Sequence, residues 1–292
     1  MSLPRPETPD DLRARAEAAG GHLPALILSA ERLAAQVAPG AHGLRRAGPG
    51  EDFWQYRPAS ASDGMRSIDW RRSGRSDQQF VRDREAQTAQ TAAIWVSGGQ
   101  GMGFAGAPDR PQKSDRARLL ALALAMLLLR GGEKVGLLGQ PARAGRTQAE
   151  RLAEALHGAP LEPGEDAAPV AALRPQSRVV LIGDFLTDPD WLAAFLAHAA
   201  GMGVSGVVLQ LLDPDEENFP YQGAVLFRSP SGTLSHDSRD AGGLRAAYLA
   251  RLAERRDWLR ARCDGAGWQF GHASTGAAPG VALAWLWRVL GG

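Results

Sequence analysis

The sequence predicts an α/β fold with a doubly wound, mostly parallel sheet from about residue 88 onward. Strand-like and helix-like segments alternate there, which is the pattern of a parallel sheet covered by helices. One strand-like segment, "SRVVLIGDF", is an unbroken apolar run, as expected for a central strand buried on both faces. Residues 1–87 lack this alternation and predict an irregular or β-rich N-terminal lobe.

The first half of the predicted sheet domain contains two strands and two helices. "TAAIWVS" is the first strand, and "KSDRARLLALALAMLLLR" is a helix that starts near Ser114 and ends at the glycine pair Gly131 and Gly132. "KVGLLG" predicts the second strand. "TQAERLAEALHG" predicts the second helix, for which Thr147 is a candidate N-cap.

The second half continues the same alternation. The apolar strand is followed by a helix, "DPDWLAAFLAHAAGMG", and a strand, "VSGVVLQLLD". After a turn-rich insertion, "LRAAYLARLAERRDWLRARCDGAG" predicts a long amphipathic helix. A short strand near Trp268 and a helix through "VALAWLWRVL" complete the pattern.

The N-terminal lobe has a different composition. Two helical patterns, Asp11–Ala19 and Ser29–Val37, precede a segment that is dense in Gly, Ser, Asp, Arg and large aromatic residues and has almost no helical period. Its charges alternate in sign, which favours ion pairs over a nucleic-acid surface. We therefore expect two domains, the lobe over residues 1–87 and the sheet domain over residues 88–292.

The composition excludes several classes of function. With 33 Lys and Arg residues against 32 Asp and Glu residues, the chain has no overall field toward nucleic acid or anionic lipid. The single cysteine, Cys263, excludes an internal disulfide and a multi-cysteine metal site, and we expect it to be a buried thiol. The six histidines are scattered without the spacing of a zinc site.

The sequence also predicts a cytoplasmic protein without direct membrane insertion. The N-terminal stretch "MSLPRPETPDDLRARAEAAG" has no apolar segment of the kind found in secretory signals. The longest apolar run, Leu119–Leu129, is shorter than the roughly 20 residues that span a bilayer.

A glycine-rich loop, "IWVSGGQGMGFAG", follows the first predicted strand. The spacing of Gly101, Gly103 and Gly106 fits a dinucleotide-binding fingerprint, but that site needs a helix immediately after the glycines. Here Pro108 and Pro111 intervene before the helical pattern. The sequence also lacks a Walker Gly-Lys-Ser/Thr motif and a Gly-x-Ser-x-Gly nucleophile elbow.

A metal-ion-dependent adhesion site is the second interpretation of this loop. Such a site carries Asp-x-Ser-x-Ser, because Mg²⁺ prefers carboxylate and hydroxyl oxygens. The corresponding positions here are Ser97, Gly99 and Gly101, and Asp184 stands where a further carboxylate would come from. Because most ligands are missing, we favour a degenerate site, with no metal and no other cofactor, and a structural role for the glycines. Retained Mg²⁺ binding is the alternative.

The segment "RRAGPGEDFWQYRPASASDGMRSIDWRRSGRSDQQFVRDREAQ" resembles the hallmark region of the bacterial family catalogued as domain of unknown function 58. The matching residues are Arg46, Gly48, Gly50, Phe53, Arg57, Arg66, Ile68, Asp69, Trp70, Arg71 and Arg75. The order of the family's Gly-Asp pair is altered at Ser62-Asp63-Gly64. Later stretches such as "EKVGLLG" and "VVLIGDF" also resemble the family, so the similarity extends over nearly the whole chain.

The resemblance implies a von Willebrand factor A-like, Rossmann-like domain. It also implies a partner, since members of the family are thought to act with a MoxR-type AAA+ ATPase as adaptors or assembly factors. No enzymatic activity is established for the family.

The Arg/aromatic segment is a candidate partner-binding surface, because Arg, Trp and Tyr dominate binding hot spots. The residues that we assign to it are Arg57, Arg66, Asp69, Trp70, Arg71 and Arg75. In the alternative, its aromatic residues hold the lobe against the sheet domain and its arginines pair with nearby aspartates. The acidic stretch "LLDPDEENFP" is expected to be a solvated loop, with a partner-facing rim or a cation site as alternatives.

Taken together, these features predict a non-enzymatic, protein-binding adaptor or assembly factor that works with a MoxR-type ATPase and other proteins and binds no nucleic acid. The alternative is a metal-assisted hydrolase or phosphoryl-transfer enzyme that uses the carboxylates of Asp184 and Asp213.

Overall fold

The computed structural model describes residues 9–37, 53–58, 68, 70–74, 80–84, 90–162, 166–188, 190–229 and 235–291. The chain divides into two compact units: Met1–Ala41 with Gln90–Gly292, and His42–Ala89. Among the described residues, no helix is long and apolar enough to cross a membrane.

Helices and strands alternate along most of the larger unit. In chain order, the elements of the described residues are α1 (Pro9–Val37), β1 (Phe53–Pro58), α2 (Trp70–Ser73), β2 (Phe80–Arg84), β3 (Thr91–Val96), α3 (Lys113–Arg130), β4 (Lys134–Leu137), α4 (Arg146–His157), β5 (Arg178–Gly183), α5 (Asp190–Gly201), β6 (Ser205–Leu212), α6 (Pro214–Asn218), β7 (Val225–Arg228), β8 (Ser235–Ser238), α7 (Ala241–Gly265), β9 (Gln269–Ser274) and α8 (Pro279–Val289).

A five-stranded sheet forms the centre of the larger unit. Its strands lie in the order β4-β3-β5-β6-β9, and every neighbouring pair is parallel. The side chains of β5 alternate between the two apolar clusters: Val180 and Ile182 pack on one face, and Val179 and Leu181 pack on the other. The predicted α/β class with a doubly wound parallel sheet is therefore confirmed.

Helices cover both faces of this sheet. The first cluster contains apolar residues of α1, α3, α4 and α8, and the second contains residues of α5 and α7. The apolar run that predicted α3 lies almost entirely inside the first cluster, because the helix is the central one on that face. Cys263 of α7 is buried in the second cluster, and burial raises the pKa of its thiol to about 12.

The first helix differs from the prediction in two ways. The two predicted segments form one continuous helix, α1, with Pro24 inside it. A proline inside a helix costs about 3 kcal/mol, and the burial of Leu33 and neighbouring apolar residues against the core offsets that cost. Because α1 packs against α3, α4 and α8, it groups with the sheet, whereas the predicted lobe had included it with residues 38–87.

Two local details also differ from the predictions. The helix α4 begins at Arg146 behind Gly145, which has φ +93° and no side-chain capping bond, so the predicted cap at Thr147 is wrong. The smaller unit contains β1 and β2 as an antiparallel pair, together with the short helix α2. The turn-rich insertion contains α6 and the antiparallel pair β7–β8.

Candidate functional site

The carboxyl ends of three neighbouring strands meet at one edge of the sheet. Ser97 follows β3, Asp184 follows β5 and Asp213 follows β6, and all three residues are buried. In an open parallel sheet this edge is where ligands usually bind. The polar side chains at this edge are buried, and their hydrogen-bond and ion-pair partners therefore determine which chemistry is open to the site.

Lys113 occupies the centre of the site. Although it is the first residue of α3, it is only 1% exposed. Its Nζ donates to Asp184 Oδ2 at 2.8 Å and to Glu216 Oε1 at 2.6 Å. The single ammonium is thus shared by two carboxyl groups, one from the loop after β5 and one from α6.

A second ion-pair group fixes the start of α6. Arg110 Nη1 donates to Asp213 Oδ1 at 2.7 Å, and Arg110 Nη2 donates to Asp215 Oδ1 at 2.8 Å. Asp213 is also the N-cap of α6 and forms a capping box with Glu216. Thr275 Oγ1 donates to the other Asp213 oxygen at 3.1 Å. Asp213 therefore has partners on both carboxylate oxygens.

A third set of contacts links the site to α7. Gln210 Nε2 donates to the backbone oxygen of Asp184 at 2.9 Å, and Arg256 Nε donates to Gln210 Oε1 at 3.0 Å. Arg256 Nη2 also donates to Glu217 Oε1 at 2.7 Å. The acidic stretch after β6 is therefore a capped helix whose carboxylates are paired, and the expectation of a solvated loop is wrong.

The glycines of the loop after β3 make room for carboxylates. A Cβ on Gly99 would lie 1.6 Å from Asp166 Oδ1, and a Cβ on Gly106 would lie 2.4 Å from Asp215 Oδ2. The structure thus gives these two glycines a packing role, because only a residue without a side chain allows so close an approach.

Burial changes the ionisation of two of the carboxyl groups. Burial raises the pKa of Asp166, and the charge of Asp184 raises it further, while a hydrogen bond with Ser97 and the charge of Lys113 oppose the rise. Burial likewise raises the pKa of Glu216 against the lowering effect of Lys113. Both groups therefore lie in an environment that disfavours additional negative charge.

The donor set does not fit a divalent cation. A cation held by Asp184 would lie beside the Lys113 ammonium, which already uses the Asp184 and Glu216 oxygens, and the two positive charges would repel each other. Within the part of the chain that the structure describes, no group of three or more His, Cys, Asp or Glu residues could hold a metal ion.

A cavity of about 600 Å³ opens next to this network. Its wall contains Lys113 and the carboxyl groups of Asp166, Asp184, Asp215 and Glu216. The described residues of the wall also include five aromatic ones, namely Phe104, Phe219, Tyr221, Phe227 and Tyr248. Charged side chains thus line one part of the cavity, and aromatic side chains line another part.

The structure brings the predicted metal-loop residues close together. Ser97 N donates to the backbone oxygen of Ile182, next to the end of β5, and Ser97 Oγ accepts from Gly99 N at 3.3 Å. Gly101 and Asp184 both line the cavity. These four positions therefore lie near one another, and the cation paired with Asp184 is Lys113.

The predicted partner-binding residues are described only in part. Trp70 and Arg71 lie on α2 and are exposed, and Trp70 is 57% exposed. Arg57 lies on β1. The positions of Arg66, Asp69 and Arg75 lie outside the described residues.

Sequence reasoning missed Lys113, Arg110, Asp166 and Glu216 as members of the site. Lys113 and Arg110 precede a predicted helix and resemble ordinary surface charges. One signal was available. The acidic stretch "LLDPDEENFP" was expected on the same edge of the sheet as Asp184. Carboxylates that are buried there need cationic partners, which indicates nearby lysine or arginine side chains.

Comparison with known proteins identifies related sequences. The family model described as "Protein of unknown function DUF58" matches residues 55–257. The uncharacterized protein Rv1480 of Mycobacterium tuberculosis is 28% identical over 234 residues, which cover 73% of this chain and 71% of that protein. The uncharacterized protein Mb1516 of Mycobacterium bovis matches with the same identity and coverage.

Solved structures that match part of this chain include two proteins from Bacteroides. An aerotolerance-related membrane protein from Bacteroides fragilis is 15% identical, with a TM-score of 0.42, and the match covers 69% of this chain and 98% of that chain. The conserved hypothetical protein BatB from Bacteroides thetaiotaomicron is also 15% identical, with a TM-score of 0.43, and the match covers 68% of this chain and 96% of that chain.

Proposed function

The chain belongs to the family of unknown function DUF58, and from this premise we propose that it is a protein-binding adaptor or assembly factor that acts with a MoxR-type AAA+ ATPase. The proposed partner rests on the family resemblance of the hallmark segment. The proposed mode of action is protein binding without catalysis, and it rests on the ion pairs at the carboxyl edge of the sheet.

The pairing of the buried carboxylates is the observation that carries this proposal. A general base or a metal ligand needs a free carboxylate oxygen near the reacting group. Asp184 is held by Lys113, and Asp213 is held by Arg110, Thr275 and the start of α6. These are the two carboxylates that the alternative hydrolase or phosphoryl-transfer function would use, and for this reason we favour binding over catalysis.

We further propose that the adhesion-type metal site is degenerate and that Lys113 supplies its positive charge. Calorimetric titration of the intact protein with Mg²⁺ and with Mn²⁺ is then expected to show no saturable binding at micromolar concentrations. A matched titration of Asp184→Ala serves as the control. Micromolar binding to the wild type that is lost in Asp184→Ala would contradict this proposal and favour the enzymatic alternative.

The partnership is tested by co-purification with the MoxR-type ATPase of the same organism. We expect the wild-type chain to recover the ATPase, and we expect Trp70→Ala to weaken the complex by roughly 30-fold, since loss of a hot-spot tryptophan costs about 2 kcal/mol or more. Affinity is measured by titrating the ATPase against the immobilised chain.

Val281→Ala is the matched control, because Val281 is a 72% exposed apolar residue that lies on α8 of the larger unit. Failure of the wild type to bind the ATPase would contradict the proposed partnership. Equal affinities of wild type and Trp70→Ala would instead remove Trp70 from the interface.

A further inference from the structure

The aromatic wall of the cavity is a fixed surface. Phe219 packs against Tyr221, Phe227 and Tyr248, with ring centroids 5.2, 5.6 and 4.7 Å apart. These contacts restrain the four rings, so this part of the wall needs little further ordering. Aromatic faces attract cations, and a guanidinium group stacks on them most readily.

The charged groups around the cavity leave an excess of negative charge. Among the described residues, four carboxyl groups and two cationic side chains, those of Lys113 and Arg228, line the cavity. Lys113 is already shared between Asp184 and Glu216, and Asp215 is paired with Arg110. Asp166 forms a hydrogen bond with Ser97 and is affected by the charge of Lys113, but it has no salt bridge among the residues that the structure describes.

A further observation indicates which kind of ligand the cavity favours. The pKa of Tyr221 is raised first by burial and then by the charges of Asp215, Glu216 and Asp213, which indicates a negative potential at the wall. A negative potential favours a ligand that carries positive charge.

We propose that this cavity binds an arginine side chain of a partner protein. The guanidinium group lies against the aromatic wall and donates to the carboxylate of Asp166. Arginine fits better than lysine because its planar group can stack on an aromatic ring and donate to a carboxylate at the same time. This inference rests on the proposed binding function and specifies the partner chemistry that the site recognises.

The test uses a capped tripeptide, acetyl-Gly-Arg-Gly-amide, titrated into the intact protein and followed by NMR chemical shifts. We expect saturable shifts at residues that line the cavity. The same peptide with citrulline, which keeps the shape but loses the charge, is expected to bind at least 10-fold more weakly. The same peptide with glutamate in place of arginine is expected to give no saturable change in chemical shift.

Two variants assign the binding to the cavity. Asp166→Asn removes a carboxylate that has no salt bridge among the described residues, and it is expected to weaken binding of the arginine peptide at least 5-fold. Asp257→Asn changes an exposed carboxylate on α7 and is expected to leave the affinity for the peptide unchanged. Tyr221→Ala removes part of the aromatic wall and is also expected to weaken binding, so the test remains decisive if Asp166→Asn fails to fold. Equal binding of the citrulline peptide, or unchanged binding by folded Asp166→Asn or by Tyr221→Ala, would overturn the inference.

This experiment separates the inference from the proposed partnership. If the ATPase binds the wild-type chain but the arginine peptide does not, the inference is wrong and the partnership stands. If the arginine peptide binds in the cavity but the ATPase does not bind the chain, the partnership is wrong and the arginine site stands.

Discussion

Replacement of Lys113 by methionine is expected to lower the free energy of unfolding by about 3–5 kcal/mol, because removing one partner of a buried ion pair leaves uncompensated charge. Methionine keeps most of the volume, so the loss reports on the charge more than on packing. Two carboxylates, those of Asp184 and Glu216, lose their cation at once. Urea unfolding at pH 7, followed by circular dichroism, measures the change.

The pH dependence of this variant gives an independent check. Burial already raises the pKa of Glu216 above its ordinary value of 4.5, and loss of the Lys113 charge removes an effect that lowers it. When folding raises the pKa of a group, protonation of that group stabilises the folded state as the pH falls through the raised pKa. The loss in free energy of unfolding of Lys113→Met relative to wild type is therefore expected to become smaller as the pH is lowered from neutral to about 4.5.

Lys134→Met is the matched control, because Lys134 is an exposed lysine on the edge strand β4. Its effect is expected to stay within about 0.5 kcal/mol. Adding Asp184→Asn and Glu216→Gln to Lys113→Met is expected to recover part of the loss, since the unpaired charges are then removed. A Lys113→Met variant as stable as wild type would show that the ion pairs do not stabilise the site.

The architecture of the larger unit was predictable because its signals are local. The apolar run of β5 and the long apolar period of α3 each identify an element without knowledge of its partners. Parallel pairing then follows from the alternation of strands and helices. Local signals were misleading at Pro24, where the energy of tertiary packing exceeds the cost of a proline inside α1.

The site was less predictable because its contacts join distant parts of the chain. Lys113 reaches Asp184 across 71 positions and Glu216 across 103 positions. A lysine at the start of a helix is unfavourable with respect to the helix dipole, so its position is a weak sign that nearby carboxylates hold it. The lack of oxygen ligands at Gly99 and Gly101 was visible in the sequence, but the lysine that pairs with Asp184 was not.

The same limit applies to Trp268, which the sequence placed only beside a short strand. In the structure it is 1% exposed, its Nε1 donates to the backbone oxygen of Val204 at 3.1 Å, and its ring meets Phe195 edge-on at 6.0 Å. A Cβ on Gly206 would lie 2.7 Å from this ring. The tryptophan therefore fills a space that the glycine of a neighbouring strand leaves open.

Trp268→Ala is expected to destabilise the protein by about 3–5 kcal/mol, because it removes a large buried ring and leaves a cavity. Trp268→Phe is expected to cost less, since most of the ring volume remains and the main loss is the hydrogen bond to Val204. Urea unfolding measures both variants. Trp70→Ala serves as the control for the loss of an exposed tryptophan and is expected to leave stability within about 0.5 kcal/mol. Equal effects of Trp268→Ala and Trp70→Ala would contradict the packing described for the second apolar cluster.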